Sequence, residues 1–137
     1  MTQNPHHVVL LRHTLPDDST HLDLFIEDRK DPEIGLLSVR MPGDPRKLLA
    51  DQILQGQMIG RHRRHYLDFE GPLEPGANGE PRGTVHRVAT GQLLGMQEEP
   101  AKQLQMELQW LTPVCLTQTI SMTMYPKGRV QITARCR

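Results

Sequence analysis

The chain has too little cysteine for a disulfide framework: Cys115 and Cys136 are its only two. Their spacing fits neither a stapled secreted scaffold nor a zinc knuckle, so a reduced, cytoplasmic protein is expected. No stretch approaches the ~20 apolar residues that cross a bilayer, and the N-terminus shows no basic segment followed by an apolar run. Neither membrane insertion nor export is therefore expected. Charge of one sign is also missing, since 16 Lys and Arg balance 16 Asp and Glu. Sequence-independent coating of nucleic acid draws its affinity from phosphate neutralisation by Lys and Arg, and zero net charge argues against it. A local basic run remains, Arg61-His62-Arg63-Arg64-His65, whose ordinary reading is a solvated surface. The chain contains no internal repeat, low-complexity tract or linker composition. Its length suits one domain over residues 1–137.

What is present is a series of short apolar runs rich in Val, Ile, Leu and Thr, separated by Pro and Gly. Strands are predicted over His7–Arg12, His21–Glu27, Ile34–Met41, Gln57–Tyr66, Gly83–Ala89, Gln105–Leu111, Cys115–Met124 and Arg129–Ala134. So many strands in so short a chain predict a β-rich fold, a small closed or nearly closed antiparallel β-barrel with one or two short helices. Closure removes the exposed edges that an open sheet has to protect. A helix is predicted over Asp44–Leu54, with Asp44 as N-cap and Pro45 at its first position. Gly71–Arg82 reads as a loop, and Pro42-Gly43 and Pro126-Lys127-Gly128 as turns, the latter joining the last two strands. Trp110 and the Met122/Met124 pair read as core.

Three constellations carry chemistry. In His21-Leu22-Asp23-Leu24-Phe25-Ile26-Glu27, strand alternation puts Leu22, Leu24 and Ile26 on one face and His21, Asp23, Phe25 and Glu27 on the other. The second face is expected to lie away from the packed side and to offer an imidazole and a carboxylate to one divalent cation. His13 ends the preceding strand, and the turn Thr14–Thr20 would return the chain antiparallel, making His13 a neighbour of His21. Two histidines and one carboxylate form a mixed nitrogen and oxygen set compatible with Mn²⁺, Zn²⁺ or Fe²⁺. Further along, an extended segment would align His62, Arg64 and Tyr66 in a row suited to phosphoryl chemistry.

The order of these residues resembles a known family. His13, then His21-x-Asp23, then His62-x-x-x-Tyr66-x-x-Phe69-Glu70-Gly71, then Gly83-Thr84-Val85 is similar to the 3′-phosphoesterase domain of bacterial DNA ligase D. That family runs as a His, then H-Y-D-F-x-L-E, D-H-x-x-x-Y-x-x-F-E-G, a Gly-rich loop and G-x-V. The resemblance implies a manganese-dependent β-barrel enzyme, with zinc or another transition metal as the alternative, in DNA repair. Such an enzyme removes a terminal ribonucleotide or a 3′-phosphate from DNA. It implies His13, His21 and Asp23 as metal ligands, and a catalytic group of His62, Tyr66 and Arg64. The partners implied are DNA or RNA/DNA 3′ ends and separate ligase or polymerase proteins, with a monomer expected.

The departures are specific. Phe25 stands where the family has an Arg two residues after the metal-binding Asp. The family's Pro-Lys-Gly aligns with Met41-Pro42-Gly43-Asp44, so its Lys is absent, with Arg40, Lys47 or Arg64 as candidate substitutes. The stretch from His13 to His21 is long and includes Asp17 and Asp18, and little chain precedes the first strand. These departures leave open a metal- or nucleic-acid-binding module without turnover, and the zero net charge leaves open a phosphodiesterase of small molecules. Gly95–Arg137 carries no chemical motif.

Overall fold

All eight segments of alternating apolar character form strands in the computed structural model, which describes residues 6–27, 35–99 and 102–136. The strands are β1 (His6–Thr14), β2 (Thr20–Ile26), β3 (Leu36–Met41), β4 (Leu54–His62), β5 (Gly71–Pro72), β6 (Thr84–Glu99), β7 (Gln103–Thr112), β8 (Leu116–Met124) and β9 (Arg129–Cys136). Ile34, expected in the third strand, lies outside the described residues. Hydrogen bonding runs β1-β2-β3-β4-β9-β8-β7-β6 and returns from β6 to β1, so eight antiparallel strands close into a barrel. The two-residue β5 pairs with Val85 and Thr84 at the start of β6. Among the described residues no helix is long and apolar enough to cross a membrane.

Alternation fills the barrel. Leu104, Met106, Leu108 and Trp110 of β7, Ile120 and Met122 of β8, and Val130, Ile132 and Ala134 of β9 face inward beside Leu22, Leu24 and Ile26 of β2. Trp110 is fully buried, and its Nε1–H donates to Gln118 Oε1 at 2.9 Å. Gln118 Nε2 in turn donates to the Pro45 carbonyl at 2.7 Å, so the buried amide has partners on both sides.

Three expectations are corrected. Asp44 does cap, its Oδ1 accepting from the Arg46 N–H at 2.9 Å, but the turn it starts is a single 3-10 turn, Pro45–Lys47, not a helix to Leu54. Leu49 and Ile53 are 63% and 54% exposed, so the segment has no apolar stripe to bury, and tertiary packing is what sustains short helices. The fourth strand ends at His62, and Arg64–Leu67 forms a 3-10 turn instead of continuing extended to Tyr66. The predicted strand Gly83–Ala89 runs on to Glu99, because β7 pairs with its second half through register shifts near Gly91 and Gly95.

The most consequential correction concerns the outer face of β2. Its alternation is as expected, but Asp23, Phe25 and Glu27 are only 5%, 2% and 8% exposed. A second, smaller core lies outside the barrel, formed by Val9, Leu11, Phe25, Leu36 and Val85 and covered by Tyr66, Leu67, Phe69 and Leu73. The 3-10 turn brings Tyr66 and Leu67 back onto the sheet.

Candidate metal centre

The β1–β2 hairpin positions the cluster. Its turn is held by Asp17, whose Oδ1 accepts from the Ser19 N–H at 3.0 Å and the Ser19 hydroxyl at 2.6 Å, while Asp18 adopts a left-handed φ of 71°. The Ser19 hydroxyl, then its backbone N–H, holds the Asp17 carboxyl below its ordinary pKa. Asp17 therefore builds the turn. The register that follows places His13 opposite His21 and Asp23 opposite Arg40 of β3.

His13 Nδ1 lies 3.2 Å from His21 Nε2, and His21 Nε2 lies 3.4 Å from Asp23 Oδ2. One ligand atom from each residue falls within 4.8 Å of the others. Bonds of about 2.0–2.2 Å to one cation place neighbouring donors about 2.9–3.6 Å apart, depending on coordination geometry. Lone pairs this close repel unless a proton or a cation sits between them. The surroundings suit a cation. His13 Nε2–H donates to the Arg82 carbonyl at 2.7 Å, which leaves Nδ1 as the free donor atom, the backing that metal-binding histidines usually have. Asp23 Oδ1 accepts from Arg40 Nε at 3.1 Å, which aims Oδ2 at the histidines. Burial pushes the His21 pKa down, with Arg40 and His13 adding to that and Asp23 opposing it. Burial thus favours the neutral, ligating form of the imidazole. The residues fit a divalent transition metal.

Gly83 makes the contact to Arg82 feasible. Its φ is +94°, and a Cβ there would collide with the Thr14 carbonyl oxygen and come within 3.1 Å of His13 Nε2. Only glycine lets the start of β6 approach the end of β1 so closely.

A cavity of about 50 Å³ opens beside the cluster, lined by His13, Asp23, Arg40, His62, Tyr66 and Arg82 among others, with Phe25 in its apolar wall. His62 Nδ1–H donates to the Gly60 carbonyl at 2.6 Å, with Ser38 Oγ 3.0 Å away, so Nε2 carries the ring's remaining lone pair. Phe25 packs against both His62 and Tyr66, at centroid distances of 5.0 and 5.6 Å, and those two rings meet each other edge-on at 5.6 Å. The covering segment is anchored to β6, where Glu70 Oε2 accepts from the Arg87 N–H at 3.0 Å and Arg87 Nη2 donates to the Leu67 carbonyl at 3.3 Å.

Of the residues expected from sequence, His13, His21 and Asp23 are brought together, and His62 and Tyr66 line the same cavity. Arg64 does not, because the 3-10 turn directs it to Glu27, with which it forms an ion pair. The row His62, Arg64, Tyr66 is thereby corrected. Of the three candidate substitutes for the missing Lys, Arg40 lines the cavity and Lys47 does not. Arg82 was not anticipated. The one local signal for it is its place directly before Gly83-Thr84-Val85. Compared with known proteins, the chain matches no protein-family model and no curated protein.

Proposed function

We propose that the protein is a metal-dependent phosphoesterase acting at the 3′ ends of nucleic acid strands. The observation that carries this reading is that one small cavity joins a His/His/Asp cation cluster, an imidazole with a free Nε2 and two guanidinium groups. The order of His13, His21-x-Asp23 and His62-x-x-x-Tyr66, similar to the ligase D phosphoesterase domain, supports 3′ ends as the substrate.

His13 Nδ1, His21 Nε2 and Asp23 Oδ2 would hold a divalent cation, with manganese as the proposed ion, which when bound would supply Lewis-acid polarisation of a phosphoryl oxygen. The protein's own groups do the rest. Arg40 and Arg82 offset charge on the non-bridging oxygens, and Tyr66 offers a phenolic donor to one of them. As water or a neighbouring ribose hydroxyl attacks phosphorus, His62 takes the attacking hydroxyl's proton onto the Nε2 lone pair, the bond to the leaving oxygen breaks, and that oxygen takes a proton from solvent. Phe25 keeps His62 and Tyr66 in place, in the position where the family has an Arg, and Arg40 reaches the cavity from the next strand. A second reading, a phosphodiesterase of small molecules, is favoured by zero net charge, which gives little attraction to a long polyanion.

A primer-trimming assay with Mn²⁺ tests the reading, using DNA primers that end in one ribonucleotide or in a 3′-phosphate. Wild type is expected to leave a 3′-hydroxyl, His62→Ala to lose about 10²–10⁴-fold in kcat while retaining metal, and Arg64→Ala to keep wild-type turnover. Cleavage of a small phosphodiester but not of primers would establish the second reading. Stoichiometric Mn²⁺ binding with no turnover of either substrate would leave a binding module and overturn both.

A further inference from the structure

The metal-side cavity is too small for a whole substrate. At about 50 Å³ it has room for little more than a phosphoryl group, a water's share of liquid being about 30 Å³. The rest of the molecule must extend into neighbouring space. A second cavity of about 430 Å³ adjoins it and shares Tyr66, Leu73 and Arg82 with it. That volume falls within the ~300–1,000 Å³ typical of small-molecule sites.

We propose that this second cavity is a nucleotide subsite, holding the terminal nucleoside whose 3′-phosphate reaches the metal centre; the inference rests on the function proposed above. Its walls combine the two surfaces that a nucleotide needs. His65 lies against Tyr66 at 4.1 Å between ring centroids, and Tyr66 meets Phe69 edge-on at 5.9 Å, forming a corner of rings against which a base stacks. Phe25, Tyr66 and Phe69, three of the chain's five Phe, Tyr and Trp residues, gather on this face. Arg63 flanks the rings and meets the phosphate on the 5′ side of the bound nucleoside, Arg82, shared by the two cavities, stays on its 3′-phosphate, and Glu74 accepts from its hydroxyl or amine groups. The basic run Arg61–His65 acquires a division of labour. His62 serves the metal-side cavity, Arg64 is held by Glu27, and Arg63 and His65 serve the nucleotide. Two arginines aimed at one bound unit need no excess of charge over the whole chain.

Calorimetric binding of thymidine 3′,5′-bisphosphate and of inorganic phosphate, each with Mn²⁺ present, tests the subsite without any requirement for turnover. Arg63 and His65 are exposed, so Arg63→Ala and His65→Ala leave the fold intact. Each variant is expected to weaken the bisphosphate about 10-fold or more and to leave Mn²⁺ and inorganic phosphate binding at wild-type strength. Equal losses for both ligands would place these residues in the metal-side cavity and overturn the subsite. So would unchanged bisphosphate binding, or a wild type that binds bisphosphate no tighter than phosphate. Failure of the proposed hydrolysis has a separate signature, no primer product although bisphosphate binding remains selective.

Discussion

The two faces of β2 are both buried, yet they bury different things. Inward, Leu22, Leu24 and Ile26 join the barrel core, where every strand from β1 to β4 and from β6 to β9 contributes apolar side chains. Outward, Asp23, Phe25 and Glu27 lie under a short segment folded back from the end of β4. The inner core closes on itself and needs nothing else. The outer core is five buried residues under a cover that is itself only partly buried, and there the carboxylate, imidazoles and guanidinium groups collect. A large apolar core fixes the strand frame, and a small one attached to it can then hold polar groups at low exposure.

The largest expected effect separates these two cores. Trp110→Ala opens a cavity in the barrel and removes the donor to Gln118, which should cost about 3–5 kcal/mol, a large part of a domain's ~5–15 kcal/mol. Phe25→Ala should fall at or below the low end of that range, since the outer cover can settle into the space. Activity should reverse the order. The folded fraction of Trp110→Ala is expected to turn over as wild type does, whereas Phe25→Ala loses turnover as His62 and Tyr66 loosen. Thermal denaturation beside kcat on the same samples checks both. A Phe25→Ala variant with unchanged kcat would show that the outer core does not position the site.

A smaller effect compares two left-handed glycines. Gly79, φ +78°, has nothing within 4 Å of the place a Cβ would take, so Gly79→Ala should cost only the conformational penalty of about 1–2 kcal/mol. Gly83→Ala adds a collision with Thr14 and displaces the Arg82 carbonyl from His13, and should weaken Mn²⁺ binding as well as stability. Metal titration of the two variants distinguishes them, and equal Mn²⁺ affinity would deny the carbonyl its role in holding His13.

Much of the frame was legible because it is local. Alternation in His21–Glu27, the acidic turn before it and Pro126-Lys127-Gly128 each carry their own signal, and Lys127 and Gly128 do take the left-handed conformations of a tight connection. What was not legible depends on distant partners. Alternation assigns faces, but whether the second face is covered depends on where residues 64–73 fold, and nothing within β2 encodes that. The strand expected to end at Ala89 runs on through Gly91, where β7 comes so close that a Cβ would meet the Gln109 carbonyl at 2.5 Å. Arg82 sat in a loop whose course is set by Gly83 against Thr14. Asp44 and Pro45 correctly started a turn, but its continuation required an apolar stripe that Leu49 and Ile53 do not bury.

The smallest expected effect is one of pH, and it again distinguishes the faces, because among the described residues the buried carboxylates, Asp23 and Glu27, both belong to the outer face of β2. The His21 pKa is depressed in the folded protein, chiefly by burial, against an ordinary value of 6.5. A depressed histidine binds its proton less readily when folded than when unfolded. It therefore contributes stability that is fully present above about pH 6.5 and is lost as pH falls through the folded value. Arg40 and His13 face the same ring and penalise its protonation further, while Asp23 softens it. Without added metal, the melting temperature should decline as pH is lowered from 7 toward 5, and His21→Asn should flatten that decline. Trp110→Ala, which alters only the inner face, should lower the whole curve and keep its slope. An unchanged slope in His21→Asn would assign the acid sensitivity to groups other than His21 and remove this site as its source.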